Sequence, residues 1–243
     1  MNLNQEVKYL RSQLKKHSDK KRAQGEKKYF KSSLKHYGVT VPTIRRITKT
    51  WIKKHPDFSM DKLVKLSQIL WDTNWHEQRM LAVFLLEYKK NQLNLKHLPI
   101  VENMINTATG WAQLDGIAVW LVGAIIDKDK NTLEILNKWI KSDNFWVRRT
   151  AILAQIIQFR RGKGDFKLFK TLVIPQFQEG KDWSKEERFF IRKSIGWALR
   201  ELAPQKPTIV FNFVKKYKPQ MSGLTFREAT RKLHQNMQNQ LKN

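Results

Sequence analysis

The chain contains no cysteine, which excludes a disulfide framework, a thiolate nucleophile and any cysteine metal site. It has no apolar run of 18 residues, and its start, Met-Asn-Leu-Asn-Gln-Glu-Val, has no apolar segment of the signal-peptide kind. No secretory signal or membrane span is therefore expected, and a cytoplasmic protein is. Strand signals are nearly missing: no clean alternating run and no Asn-Gly hairpin turn stands out. Acidic residues are scarce too, with 21 Asp+Glu against 47 Lys+Arg. What is present suffices for a folded protein. At 243 residues, 41% hydrophobic and 28% charged, the chain can bury a sizeable core and is not disordered.

The formal net charge is +26, and residues 1–54 alone hold 16 Lys/Arg against 3 Asp/Glu, half of the excess. A field of that strength attracts polyanions, of which nucleic acid is the commonest. An acidic membrane surface or a lysine-rich proteome would account for the same number. The run Lys15–Arg22 reads equally as a solvated connector or as a phosphate-contacting loop.

Apolar residues recur at helical spacing along the whole chain. One or two helices are expected over 5–37, stopped by Gly38, and a third opens at Thr40-Val41-Pro42 with Ile44, Ile47 and Trp51 inward. Short and long helices then alternate: 59–71 with 74–88, 97–106 with 111–126, 131–140 with 143–159, 167–178 with 184–202, and 207–217 with 225–240. Helix pairs recurring every 35–45 residues or so point to an α-solenoid of HEAT or armadillo type, the alternative being a single irregular bundle. The expected fold is all-α, one solenoid domain over 1–243, an ARM/HEAT-type superhelix presenting a basic concave groove. Such a face suits a duplex or another extended polyanion.

Several kinds of chemistry fall away. Arg161-Gly162-Lys163-Gly164 has neither P-loop spacing nor a preceding strand. His76-Glu77 begins like a zinc-protease helix, but position 80 is Met. The six histidines are scattered, so no metal is expected and no cofactor is implied. What remains lies at the starts of the longer helices. Trp111 and Asp115 share one helical face at i, i+4. Ser142-Asp143-Asn144 offers N-caps before Phe145-Trp146-Val147-Arg148-Arg149, and Trp197 follows Gly196, which permits close approach. On spacing alone a tryptophan is commonly core, an early helical Asp commonly serves the macrodipole, and Arg148 and Arg149 are commonly surface.

Four pieces, in order, resemble the AlkD family of HEAT-like-repeat DNA glycosylases, which excise N3- and N7-alkylated purines. They are Lys28-Tyr29-Phe30 with Tyr37-Gly38-Val39-Thr40-Val41-Pro42 and Arg45-Arg46; Trp111 with Asp115; Ser142–Leu153, with Arg149 in the place of the family's arginine; and Phe189–Glu201. The resemblance runs from about residue 20 into the C-terminal region, including Leu224–Ala229. It departs at Gly110, where a family member carries a second aromatic, and at Thr40 and Val41, which replace a more polar contact. It implies that Trp111, Asp115 and Trp197 line the lesion site with Tyr29 nearby, and that Arg149 meets backbone phosphate. Arg148, Thr40, Arg45 and Arg46 are the further candidates for DNA contact.

The chemistry is consistent with so small a set. Alkylation at N7 or N3 makes the purine cationic, so it leaves without protonation by an acid. One carboxylate can then stabilise the oxocarbenium-like sugar and orient water, and each indole favours a cation by roughly 0.5–2 kcal/mol. With no lysine singled out for a Schiff base, the expected enzyme is monofunctional and monomeric, acting on duplex DNA. The resemblance further implies a lesion approached while still stacked, unlike the usual base flipping. The alternative is a non-enzymatic HEAT-like module that binds structured DNA or RNA by its basic face. A scaffold for an acidic protein is a weaker third reading.

Overall fold

The computed structural model describes residues 2–129 and 132–242. Among them no strand forms; the extended pairing is an isolated bridge between Lys35 and Trp75. The rest is helices and turns, as the periodicity requires, and no helix among the described residues is long and apolar enough to cross a membrane. Two compact units divide the chain, Met1–Ile125 and Ile126–Asn243.

The first unit runs α1 (Leu3–Lys16), α2 (Lys20–Phe30), α3 (Val41–Lys54), α4 (Met60–Trp71), α5 (His76–Tyr88), α6 (Leu98–Asn106) and α7 (Trp111–Gly116). A wider π-type turn over Ile117–Val122 follows, then α8 (Gly123–Lys128), within which the division between the two units falls. Side-chain caps explain several starts: Asp19 accepts from the amide of Arg22, Thr40 from Thr43 and Ser59 from Lys62. α5 is buried almost all round, with a continuous apolar run over Met80–Leu86, and is packed by α3, α4 and α7. Trp51, Trp71, Leu66, Leu81 and Leu85 fill the core around it. Trp51 also donates its indole N–H to Glu6 at 2.6 Å, tying α3 to α1.

The second unit runs α9 (Leu133–Trp139), α10 (Phe145–Leu153), α11 (Ile156–Arg160), α12 (Phe166–Val173), α13 (Lys185–Leu202), α14 (Pro207–Tyr217), α15 (Gly223–Thr230) and α16 (Gln235–Lys242). α13 is its axis, packed by α10, α11 and α15. A Cβ at Gly196 would come 2.5 Å from Glu228 Cβ and 2.9 Å from the Thr225 carbonyl. Glycine there is what lets α13 and α15 close. Phe159 and Phe169 meet edge to face at 5.3 Å in the interior.

The helix rhythm of the sequence is met, with local corrections. The helix expected to reach Tyr37 ends at Phe30, capped by Lys31 in the left-handed region (φ 49°). Gly38 (φ 78°) belongs instead to the linking segment, where a Cβ would lie 2.1 Å from the Asp19 carbonyl. The basic run Lys15–Arg22 is mostly the end of α1 and the start of α2. The expected 143–159 helix is interrupted by a turn at Ala154–Gln155, where the Gln155 side chain bonds the Asp165 backbone, accepting at 2.7 Å and donating at 3.3 Å. The 225–240 helix divides at a turn closed by Leu233 N–H to the Thr230 carbonyl. Asn131, expected to begin a helix, lies outside the described residues.

Candidate active site and nucleic-acid interface

In the first unit the sequence brings α7 in from an extended Gly110 (φ 163°, ψ 171°) with open space about its Cα. Gln113, 1% exposed, steadies this entry. Its Oε1 accepts from the Thr109 amide at 3.4 Å, and its Nε2 lies 3.3 Å from His76 Nδ1. The Trp111 indole is thereby set edge-on against Phe30 (centroids 5.4 Å, 69°) and Tyr29 (6.1 Å, 82°), both from the end of α2. Behind Phe30 the rings of His76 and His36 stack in turn, at 5.3 Å and 4.6 Å. Burial, reinforced by His36 and Arg79, pushes His76 down to about 3, so this imidazole is neutral. Burial likewise lowers His36, against the pull of Glu77. Tyr29 is 70% exposed and Trp111 half-buried, so the cluster offers aromatic surface to solvent.

Asp115 sits one turn beyond Trp111, half-buried, just before the backbone widens into the π-type turn. Turns of this kind are frequent at functional sites. They rotate the residues that follow while leaving the preceding α-helical i, i+4 pair intact. Gly116 then brings α7 against α5, its Cβ position 3.1 Å from Val83 Cγ1.

The candidate DNA contacts of this unit have different surroundings. Thr40 caps α3, its hydroxyl accepting from the Thr43 amide at 3.3 Å. Arg45 forks onto Glu87 at 3.2 and 3.0 Å and lies over the Phe84 ring, so its charge is matched within the unit. Arg46 is exposed.

In the second unit Arg148 and Arg149 are neighbours on α10, yet both are interior, 6% and 2% exposed. Arg148 pairs with Glu187, donates to the Ser142 and Asp143 carbonyls and lies over the Trp183 ring. Arg149 donates to the Phe190 carbonyl at 2.7 Å and covers the Phe190 ring at 5.3 Å. The surface position their residue type suggests is not where the structure holds them. Trp197 on α13 is half-buried.

The structure thus joins Tyr29 to Trp111, and Asp115 follows one helical turn on. Sequence reasoning passed over Phe30, Gln113, His76 and His36, which hold that group together; the neighbouring Tyr29 and the dismissed His76-Glu77 pair were the available signals. Close behind lies a group of three residues able to share a metal ion: Glu26, His36 and Glu77. Scattered in sequence, they meet in the fold.

A model of the family described as DNA alkylation repair enzyme matches residues 10–233. Among solved structures, the chain is similar to a "Predicted DNA alkylation repair enzyme from Enterococcus faecalis" (TM-score 0.76, 20% identity, 90% of this chain and 98% of that one). It is also similar to AlkD2 from Streptococcus mutans (0.62, 18%, 96% and 99%) and to smu.31 from Streptococcus mutans UA159 (0.53, 20%, 79% and 98%). No curated protein matches. At these identities the structures speak to the fold, which is the helical one expected.

Proposed function

The chain belongs to the DNA alkylation repair enzyme family, and from that premise we propose that it hydrolyses the N-glycosidic bond of N3- or N7-alkylated purines in duplex DNA. The observation that carries this reading is the Trp111–Asp115 turn with Tyr29 against the indole. It sets two π-systems against each other with a carboxylate one helical turn on, in a protein whose net charge of +26 draws it to DNA.

In the proposed reaction the C1′–N9 bond breaks heterolytically, and its electron pair neutralises the cationic purine. The sugar becomes oxocarbenium-like, and Asp115 stabilises that charge as a carboxylate. Water held by the same carboxylate adds at C1′ and loses its proton to the carboxylate or to solvent. Free base and an abasic site result, without strand cleavage. Trp111 and Tyr29 favour the cationic base or sugar through their faces. Working on the deoxyribose from outside the stack, such a group needs no deep pocket for a flipped base, which agrees with its open aromatic surface.

The test is single-turnover release of N7-methylguanine from duplex DNA by wild type and Asp115→Asn. The variant is expected to be slower by about 10²–10³-fold with duplex affinity kept within a few-fold. Equal rates would remove Asp115 from the chemistry. Salt-sensitive binding by a wild type that releases no base from any alkylated duplex would establish the binding module instead.

A further inference from the structure

We propose that Glu26, His36 and Glu77 form a binding site for one divalent transition-metal ion of the class that takes mixed nitrogen and oxygen ligands, such as Zn²⁺. The site stands apart from the glycosylase reading and does not depend on it. Its ligands come from α2, from the segment linking α2 to α3, and from the first turn of α5. One ligand atom from each lies within 4.8 Å of the others.

Two of the three are already fixed. Glu77 is fully buried and is held by three amides: Tyr37 donates to Oε2 at 3.0 Å, while Gly38 and Val39 donate to Oε1 at 2.6 and 3.1 Å. Oε2 therefore keeps a lone pair. The His36 side chain is 1% exposed and stacks on the His76 ring at 4.6 Å, with the Phe30 ring 6.2 Å away. Neither of its nitrogens has a hydrogen-bond partner. A buried polar side chain left wholly unsatisfied is rare in proteins, and a neutral imidazole with an unused lone pair is the form that binds metal.

Glu26 is the adjustable ligand. Arg22 holds its Oε1 at 2.7 Å, which aims Oε2 inward; that oxygen is buried, has no hydrogen-bond partner, and lies 3.8 Å from His36 Nδ1. This is too long for a hydrogen bond. Around a tetrahedral ion with bonds near 2.0–2.1 Å, ligand atoms stand about 3.3 Å apart. Closing the cluster thus asks for a shift of about 1.5 Å, within reach of a carboxylate on a helix surface. The cation would also relieve the mutual repulsion of Glu26 and Glu77. Arg22 and the three amides supply the outer contacts that orient metal-bound carboxylates. Three protein ligands leave a fourth position for water. So placed, the ion joins α2 to α5 directly behind Phe30, and steadies the wall on which Trp111 rests.

The test uses the full chain without an affinity tag, stripped of metal and titrated with Zn²⁺ by calorimetry and with Co²⁺ by visible absorption. The expected result is one ion per chain, a raised melting temperature with metal, and X-ray absorption showing one imidazole among nitrogen and oxygen ligands. Glu26→Gln, at the partly exposed edge, should fold normally by circular dichroism and bind at least tenfold more weakly; His234→Ala, an exposed histidine of the second unit, should bind as wild type. Wild type that fails to bind either ion saturably up to millimolar concentration overturns the proposal. So does wild-type affinity in Glu26→Gln, or an absorption spectrum without imidazole. The last of these is read on wild type alone, so it decides even if the variants misfold.

Discussion

Glu77 accepts the amide hydrogen of Gly38 at 2.6 Å, so the start of α5 grips the segment between α2 and α3 at its tightest point. Gly38 has φ 78°, and a Cβ there would collide with the Asp19 carbonyl at 2.1 Å and the Ala23 amide nitrogen at 2.6 Å. Both obstacles are backbone and cannot swing away. Gly38→Ala is expected to destabilise the chain by about 2–4 kcal/mol, measured by urea unfolding. A cost below 0.5 kcal/mol would show that the segment is not held as described.

Tyr29 tests the aromatic wall without disturbing the core, because it is 70% exposed. Tyr29→Ala should slow release of cationic N7-methylguanine roughly 2- to 30-fold and change folding stability by less than about 0.5 kcal/mol. Unchanged release would separate this ring from the lesion.

Arg45 and Arg46 are neighbours in sequence but differ in electrostatic state. Both are exposed, but Arg45 is paired with Glu87. If duplex DNA meets this face, Arg46→Ala should lower the slope of log K against log salt by about 1. Arg45→Ala should lower it less, since a guanidinium already matched by Glu87 neutralises less phosphate charge. The measurement is fluorescence anisotropy with unmodified duplex across a salt series.

Glycine has opposite meanings at two helix sites. At Gly196 a methyl group meets the Thr225 carbonyl and Glu228 Cβ, so Gly196→Ala should cost about 1–3 kcal/mol as α13 and α15 separate. At Gly110 nothing lies within 4 Å and the backbone is extended. Gly110→Phe should therefore unfold at the same urea midpoint as wild type, within about 0.5 kcal/mol.

Glu201 sets a pH dependence in the second unit. Burial acts to raise its carboxyl, but hydrogen bonds from Arg160 (2.7 Å) and Lys232 (3.2 Å), with their charges, hold it below the ordinary carboxylate value. A carboxyl depressed on folding adds stability that is present above its unfolded pKa and is lost as pH falls through the folded one. Glu201→Gln should cost about 1–2 kcal/mol at pH 7. The deficit should shrink steadily below pH 4.5, the ordinary value for this carboxyl, when unfolding is followed from pH 7 to pH 3.

Much of the helical plan was written in local periodicity. Ile44, Ile47 and Trp51 fall on one face of α3, and all three are buried. Places where the expectation slipped were decided by distant partners. Tyr29, Phe30, Leu34 and Tyr37 repeat at helical spacing, yet Lys35 leaves the helix to exchange backbone bonds with Asn74 and His76. A turn interrupts the expected helix at Gln155, whose side-chain amide is bonded to the backbone of Asp165. Likewise Arg148 and Arg149 look like surface cations until Glu187 and the Phe190 carbonyl are brought to them from about forty residues away.

By itself the sequence determined a cysteine-free, basic, all-helical chain and the one-turn spacing of Trp111 and Asp115, because charge adds up without regard to fold and i, i+4 neighbours meet on any helix. Tertiary structure alone decided that Tyr29 would lie against Trp111 across 82 positions, that Arg149 would be interior, and that Glu26, His36 and Glu77 would converge. Those contacts arise from helices packing to bury their apolar faces, and no local pattern encodes which distant side chains that packing brings together.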